Sequence, residues 1–247
     1  GYTPSLANGN GINIQIPTSI LNGQVVEPGA QFDFIKAIGP VTSPPYENGG
    51  ALINGRIEEL GAIGGGMCSV STTLFNAALR FGLPIWARDN HSLYISRYPM
   101  GLDATVWMTG PRNRQTMAFT NDTGYPLVVR GINNLGAVTF EVWGVDDGRT
   151  VTLSEPRIEN VVKVPYMLVE YTDALTPGRR VRVNDAYDAF DAWVTRTVRN
   201  ADGVVILEET YRSHYKMLPA YVRVGRTDGD ARSGRVVKVR LAVDPSP

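Results

Sequence analysis

One stretch of this 247-residue chain carries residue types that could do chemistry at a single point. It runs from Gly64 to Asp103. Three glycines at 64–66 precede Cys68, the only cysteine, and an amphipathic run follows it. Glycines there let the backbone turn freely and let another group come close. A cysteine at a helix start faces free amides and the positive end of the helix dipole, which stabilise a thiolate. The same amides can receive an oxyanion. A thiolate nucleophile also needs a base, and the base an orienting group. His91 stands 23 residues after Cys68 and Asp103 a further 12 along. The expected roles are Cys68 as nucleophile, His91 as proton shuttle and Asp103 as orienter. Arg88 and Ser92, beside His91, are candidates for holding a substrate, Arg88 through a carboxylate, with Gly65 and Gly66 giving close approach. Each residue also has a plain reading. A lone cysteine on such a helix is often packing, and Asp103 after Gly101-Leu102 could close a turn.

The elements that must position these groups can be read coarsely. Val70, Leu74, Ala77, Ala78 and Phe81 recur at helical spacing, and Gly82 with Pro84 ends the run, so a helix is expected over 68–81. Ser69, Ser71, Thr72 and Thr73 are expected to cap it locally. Ile12, Ile14 and Ile16 alternate with polar residues and Pro17 follows, which reads as a short strand. The run 39–50, GPVTSPPYENGG, reads as a loop suited to the lip of a site. After the helix the pattern turns to period two, with turns at Asn121–Gly124 and a boundary near Asp146-Asp147-Gly148. The expected fold is α+β: a central helix packed on an antiparallel sheet, with a C-terminal elongated all-β module. The expected division is 1–148 for the cysteine-bearing domain and 149–247 for the β-rich module. In that module Tyr187, Phe190, Trp193, Tyr211 and Tyr215 could offer rings to sugars.

Composition narrows the function classes. The chain has 24 basic and 24 acidic residues, so no basic footprint for nucleic acid follows. No apolar run reaches the ~18 residues that span a bilayer, so no transmembrane segment is expected in this chain. One cysteine and two histidines argue against a structural metal site, and no metal or cofactor is expected.

The pieces NGQVVEPGAQFDF, GGGMCSVSTTLFNAAL, GLPI, RDNHS and YPMGLDATVW resemble the VanW-like family, over roughly residues 12–145. That family is associated by name with glycopeptide-resistance clusters. This chain departs from it in carrying Ser69 where the family commonly has Gln. PGRRVRV, TRTVRNADGVVILEETYRSHY and RVG are similar to the extracellular module named for its five glycines, which is suspected of binding N-acetylglucosamine polymers. The order cysteine, histidine, acid is shared with papain-like and transglutaminase-like enzymes. Together these resemblances imply an extracellular or cell-envelope protein, secreted or anchored by a segment outside this chain. Two functions follow: a cysteine-dependent peptidase, amidase or transpeptidase acting on peptidoglycan, or a non-catalytic binding or scaffold protein that contacts wall polymer, with Cys68 as packing.

Overall fold

A computed structural model describes residues 10–53, 56–110, 113–134 and 137–241. Among these residues, strands dominate and are shared among six small sheets, while helices are three: α1 (Asn10–Leu21), α2 (Phe34–Ile38) and α3 (Cys68–Phe81). The expected α+β plan of one central helix on one antiparallel sheet is therefore wrong. The strands after α3 do not form a common sheet. Leu127–Asn134 pairs with Gln24–Val26 and Ala137–Trp143, whereas Ala118–Thr120 pairs with Gln31–Asp33 and Ile85–Ala87. Period-two alternation marks a strand but not its partner, and here segments far upstream took the edges. The C-terminal half comprises two four-stranded sheets, and in one of them Tyr166–Thr172 runs parallel to Tyr221–Gly225.

Residues 10–21 correct the strand expected at Ile12–Ile16. Ile14, Thr18 and Leu21 are buried at helical intervals, and Pro17 is tolerated within the helix. Tertiary anchoring outweighs the local alternation. Asn13, fully buried, donates to the carbonyls of Glu47 and Gly65 at 2.8 and 3.0 Å and accepts from the Glu47 amide at 2.9 Å. Those bonds tie α1 to the 39–50 loop and to the glycines before α3.

Helix α3 has the bounds that its periodicity predicts. Gly82 ends it in the left-handed conformation at φ 97°, and the Leu83 amide reaches back to the Ala78 carbonyl at 3.1 Å. The remaining carbonyls near this end are met from far along the chain. Arg196, fully buried on the strand Ala189–Arg199, donates to the carbonyls of Leu79 and Leu83 at 2.9 and 3.0 Å and pairs with Glu209. Val194 joins the same core as Leu74, Phe75 and Leu79.

The rings expected to serve sugars are not displayed as a row. Tyr215 is 1% exposed and packs against Tyr94 and Phe190, and Tyr211 meets Phe75 edge-on at 5.7 Å. Trp193 lies between the guanidinium groups of Arg157 and Arg212. Phe190, Tyr211 and Tyr215 instead pack against Phe75 and Tyr94, which lie in the first hundred residues.

A candidate cysteine site assembled along helix α3

The segment Leu102–Val106 runs antiparallel beside α3 and is held to it at regular intervals. Asn76 donates to the Leu102 carbonyl at 2.8 Å. Thr72 accepts from the Ala104 amide at 3.0 Å, and Ser71 donates to the Ala104 carbonyl at 2.6 Å. The Cys68 thiol donates to the Val106 carbonyl at 3.4 Å. Each step of four helical residues thus answers a step of two extended residues. The lengths agree, about 6 Å of helix rise against about 6.6 Å of extended chain. Ser71 and Thr72 were expected as local caps. Instead they, with Asn76, fix the register of the extended segment that carries Asp103. The helix start itself has no side-chain cap. It is built by Gly64 and Gly66 at positive φ, with the Met67 amide bonded to Gly64 and the Ser69 amide to Gly66.

Asp103 is 3% exposed, and its carboxylate is met on every side. Oδ2 accepts from the His91 amide and contacts His91 Nδ1, both at 2.6 Å. Oδ1 accepts from Tyr215 Oη at 2.6 Å and from Arg88 at 3.2 Å. An ionised carboxylate is acceptor-only, so Nδ1 carries a hydrogen and Nε2 is left for Cys68. The two segments that bear these groups are themselves paired, through the Thr105 amide on the Asp89 carbonyl at 2.8 Å.

The electrostatics follow from this packing. Burial alone would push the Cys68 thiol up. The charge and hydrogen bond of His91 outweigh it, with help from Thr105, and the thiol lies below its ordinary value. Burial would pull His91 down, but the Cys68 charge and the bond to Asp103 raise it to about 9. Asp103 is held below the usual carboxylate range, because its bond to His91 and the charges of His91 and Arg88 outweigh its burial. The two shifts run in one sense, toward a proton held on His91 rather than on the Cys68 sulfur.

Cys68, His91 and Asp103 are therefore brought together. Arg88 sits in the same cluster but faces inward. Its side chain is 5% exposed and donates to the carbonyls of Asp103 and Gly101 at 2.5 and 3.0 Å and to Ser213 Oγ at 2.9 Å. Those bonds place it behind Asp103 rather than on a substrate carboxylate. Ser92 is exposed, and its carbonyl accepts from the Lys216 amide at 2.8 Å. Gly66 accepts the Ser69 amide, while Gly65 lies so close to Gly49 that an added Cβ would stand 2.4 Å from a backbone carbon. The sequence reading missed Tyr215 and Ser213, which reach Asp103 and Arg88 from over a hundred residues away, and Tyr98, whose ring lies 5.3 Å from that of His91. No local pattern marks the first two. Tyr98 lies inside the YPMGLDATVW piece and was readable only as part of it.

Residues 9–143 match the family model described as VanW like protein. The chain belongs to the VanW-like family. It is 30% identical over 163 residues to the uncharacterized protein YoaR of Bacillus subtilis, a match covering 66% of this chain and 50% of that protein. It is also 30% identical over 102 residues to the vancomycin B-type resistance protein VanW of Enterococcus faecalis, covering 38% of this chain and 36% of that one. The chain thus spans about half or less of the curated relatives it matches. A solved structure titled HP0197-G5 aligns with 31% of this chain and 97% of its own, at 14% identity and a TM-score of 0.16.

Proposed function

We propose that this member of the VanW-like family is a cell-envelope acyl-transfer enzyme whose nucleophile is Cys68 and whose substrate is an amide of the peptidoglycan stem peptide. The observation that carries the reading is the Asp103–His91 contact at 2.6 Å with the imidazole beside the thiol. The thiolate attacks the amide carbonyl: the S–C bond forms and the carbonyl electron pair moves to oxygen. As the C–N bond breaks, His91 passes its Nε2 proton to the departing amine, leaving a thioester on Cys68. Water or a second amine then attacks the thioester carbonyl and gives up a proton to His91; the new C–O or C–N bond forms, the C–S bond breaks, and Cys68 leaves as the thiolate. Water makes the reaction hydrolysis and an amine makes it transpeptidation. Asp103 holds the imidazole in the needed tautomer throughout.

Placement at the envelope follows from the proposed substrate, and one relative is named for resistance to vancomycin. No helix among the described residues is long and apolar enough to cross a membrane, which leaves β-barrels unaddressed. On this reading residues 1–148 supply the nucleophile and base, and residues 149–247 contact wall polymer while lending Tyr215 and Ser213 to the site. The competing reading is a wall-binding scaffold with Cys68 as packing. It draws on the contact of the neutral thiol with the Val106 carbonyl.

The test is to incubate the chain with purified peptidoglycan and with soluble stem peptides, and to follow products by mass spectrometry. Cleaved or amine-exchanged peptide that disappears with Cys68→Ala is expected. Intact substrate, or products equally abundant with Cys68→Ala, would overturn the proposal.

A further inference from the structure

The connection from His91 to Asp103 is an exposed, turn-rich loop in which Ser92, Ser96 and Pro99 face solvent, while the Arg97 guanidinium lies over the Tyr98 ring, 5.4 Å from its centroid. Tyr98 does the opposite. Its side chain turns inward until the residue is 7% exposed, with the Tyr98 amide bonded to the Ile95 carbonyl at 3.0 Å. The ring lies against the imidazole of His91, centroids 5.3 Å apart and planes 31° apart. Its hydroxyl reaches the first turn of α3, where it meets Ser69 Oγ, next in sequence to the nucleophile, at 3.1 Å. A polar ring is thus wedged between base and nucleophile helix, with its O–H on Ser69, the residue that follows Cys68.

We propose that Tyr98 is a further catalytic residue, the side-chain donor to the oxyanion that forms when Cys68 attacks a carbonyl, with Ser69 setting the direction of its hydroxyl. This rests on the acyl-transfer reading above. When the S–C bond forms, the carbonyl electron pair collects on oxygen, and that oxygen must lie within reach of the helix start. Tyr98 Oη supplies a hydrogen bond there and keeps its proton; no transfer through it is needed. Burial, reinforced by the neighbouring Cys68 charge, raises its pKa to about 12, so it remains a donor up to about that pH. A donor already in place when charge develops acts on the transition state rather than on the resting thiolate.

That distinction makes the role testable without the natural substrate. Iodoacetamide alkylates the thiolate by displacing iodide from a saturated carbon, so no oxyanion forms. p-Nitrophenyl acetate acylates it through a tetrahedral oxyanion and releases p-nitrophenolate. The rates of both reactions at Cys68 would be measured in the wild type, Tyr98→Phe and Ser69→Ala. Tyr98→Phe should slow acylation at least about tenfold, since loss of one oxyanion donor costs about 100-fold or more in a matched substrate. Alkylation should stay within about twofold. Ser69→Ala should give a smaller fall in the same reaction alone. Acylation unchanged in Tyr98→Phe, or both reactions slowed together, would overturn the role of Tyr98 and leave the nucleophile standing. A wild-type Cys68 inert to both reagents would remove the cysteine chemistry itself, and this assignment with it.

Discussion

Replacing His91 by alanine separates an activated cysteine from a packed one. The imidazolium is what outweighs burial at the Cys68 thiol, by its charge and by its hydrogen bond. Without it, burial is opposed only by the hydrogen bonds of Val106 and Thr105, and the thiol moves back toward the ordinary range. A thiol with a pKa of ~8.5 is only about 0.3% ionised at pH 6. The ceiling on the loss of thiolate at that pH is therefore about 300-fold, and part is returned because a more basic thiolate is the stronger nucleophile. A fall of about 10- to 300-fold in iodoacetamide alkylation at pH 6 is expected for His91→Ala, closing as the pH approaches 9. Cys68 is the only thiol in the chain, so intact-mass labelling reads this site alone. The sense of the coupling can be checked from the histidine side. His91 is raised from 6.5 to about 9, so its stabilising contribution is complete below pH 6.5 and is lost as pH rises through 9. The lowered thiol acts in the opposite sense, stabilising above its ordinary value and losing that as pH falls through the lowered one. Between the two the contributions offset, because the pair has moved one proton from sulfur to nitrogen without taking one up. An NMR titration should find the His91 imidazole protonated to about pH 9 in the wild type and markedly lower in Cys68→Ala. Superimposable alkylation profiles for wild type and His91→Ala would refute the ion pair.

Two further substitutions probe what holds the site. Tyr215→Phe removes a buried donor 2.6 Å from Asp103, and a hydrogen bond to a charged group contributes about 2 kcal/mol. For a chain of this size, thermal denaturation should show a midpoint lower by about 4–8 °C, with Asp103 titrating higher. Gly65→Ala places a Cβ 2.4 Å from the Gly49 backbone, which cannot swing aside as a side chain could. About 1–3 kcal/mol of stability should be lost, with slower Cys68 labelling, as the approach to α3 shifts. Gly124→Ala meets nothing within 4 Å and should change neither denaturation nor labelling by a measurable amount.

Helix α3 was legible because every rule that defines it is local: apolar spacing, a left-handed glycine at Gly82, and glycines that deliver Cys68 to its start. Cys68, His91 and Asp103 could be singled out by type and order for the same reason. Residues 10–21 were misread because the alternation of Ile12, Ile14 and Ile16 is a weak local signal. The buried Asn13, bonded to Glu47 and Gly65, overrides it from 34 and 52 residues away. Strand partners, and hence the many-sheet fold, were likewise out of reach, since pairing is set between segments and not within them. The inward turn of Arg88 and the arrival of Tyr215 belong to the same class. The arrival of Tyr215, and the Ser213 bond that completes the setting of Arg88, are contacts across more than a hundred residues that no window of sequence contains. What the chain wrote locally was one helix and the identity of its reactive groups. Tertiary packing decided their distances, and through burial and neighbouring charge it also decided which of them holds the proton.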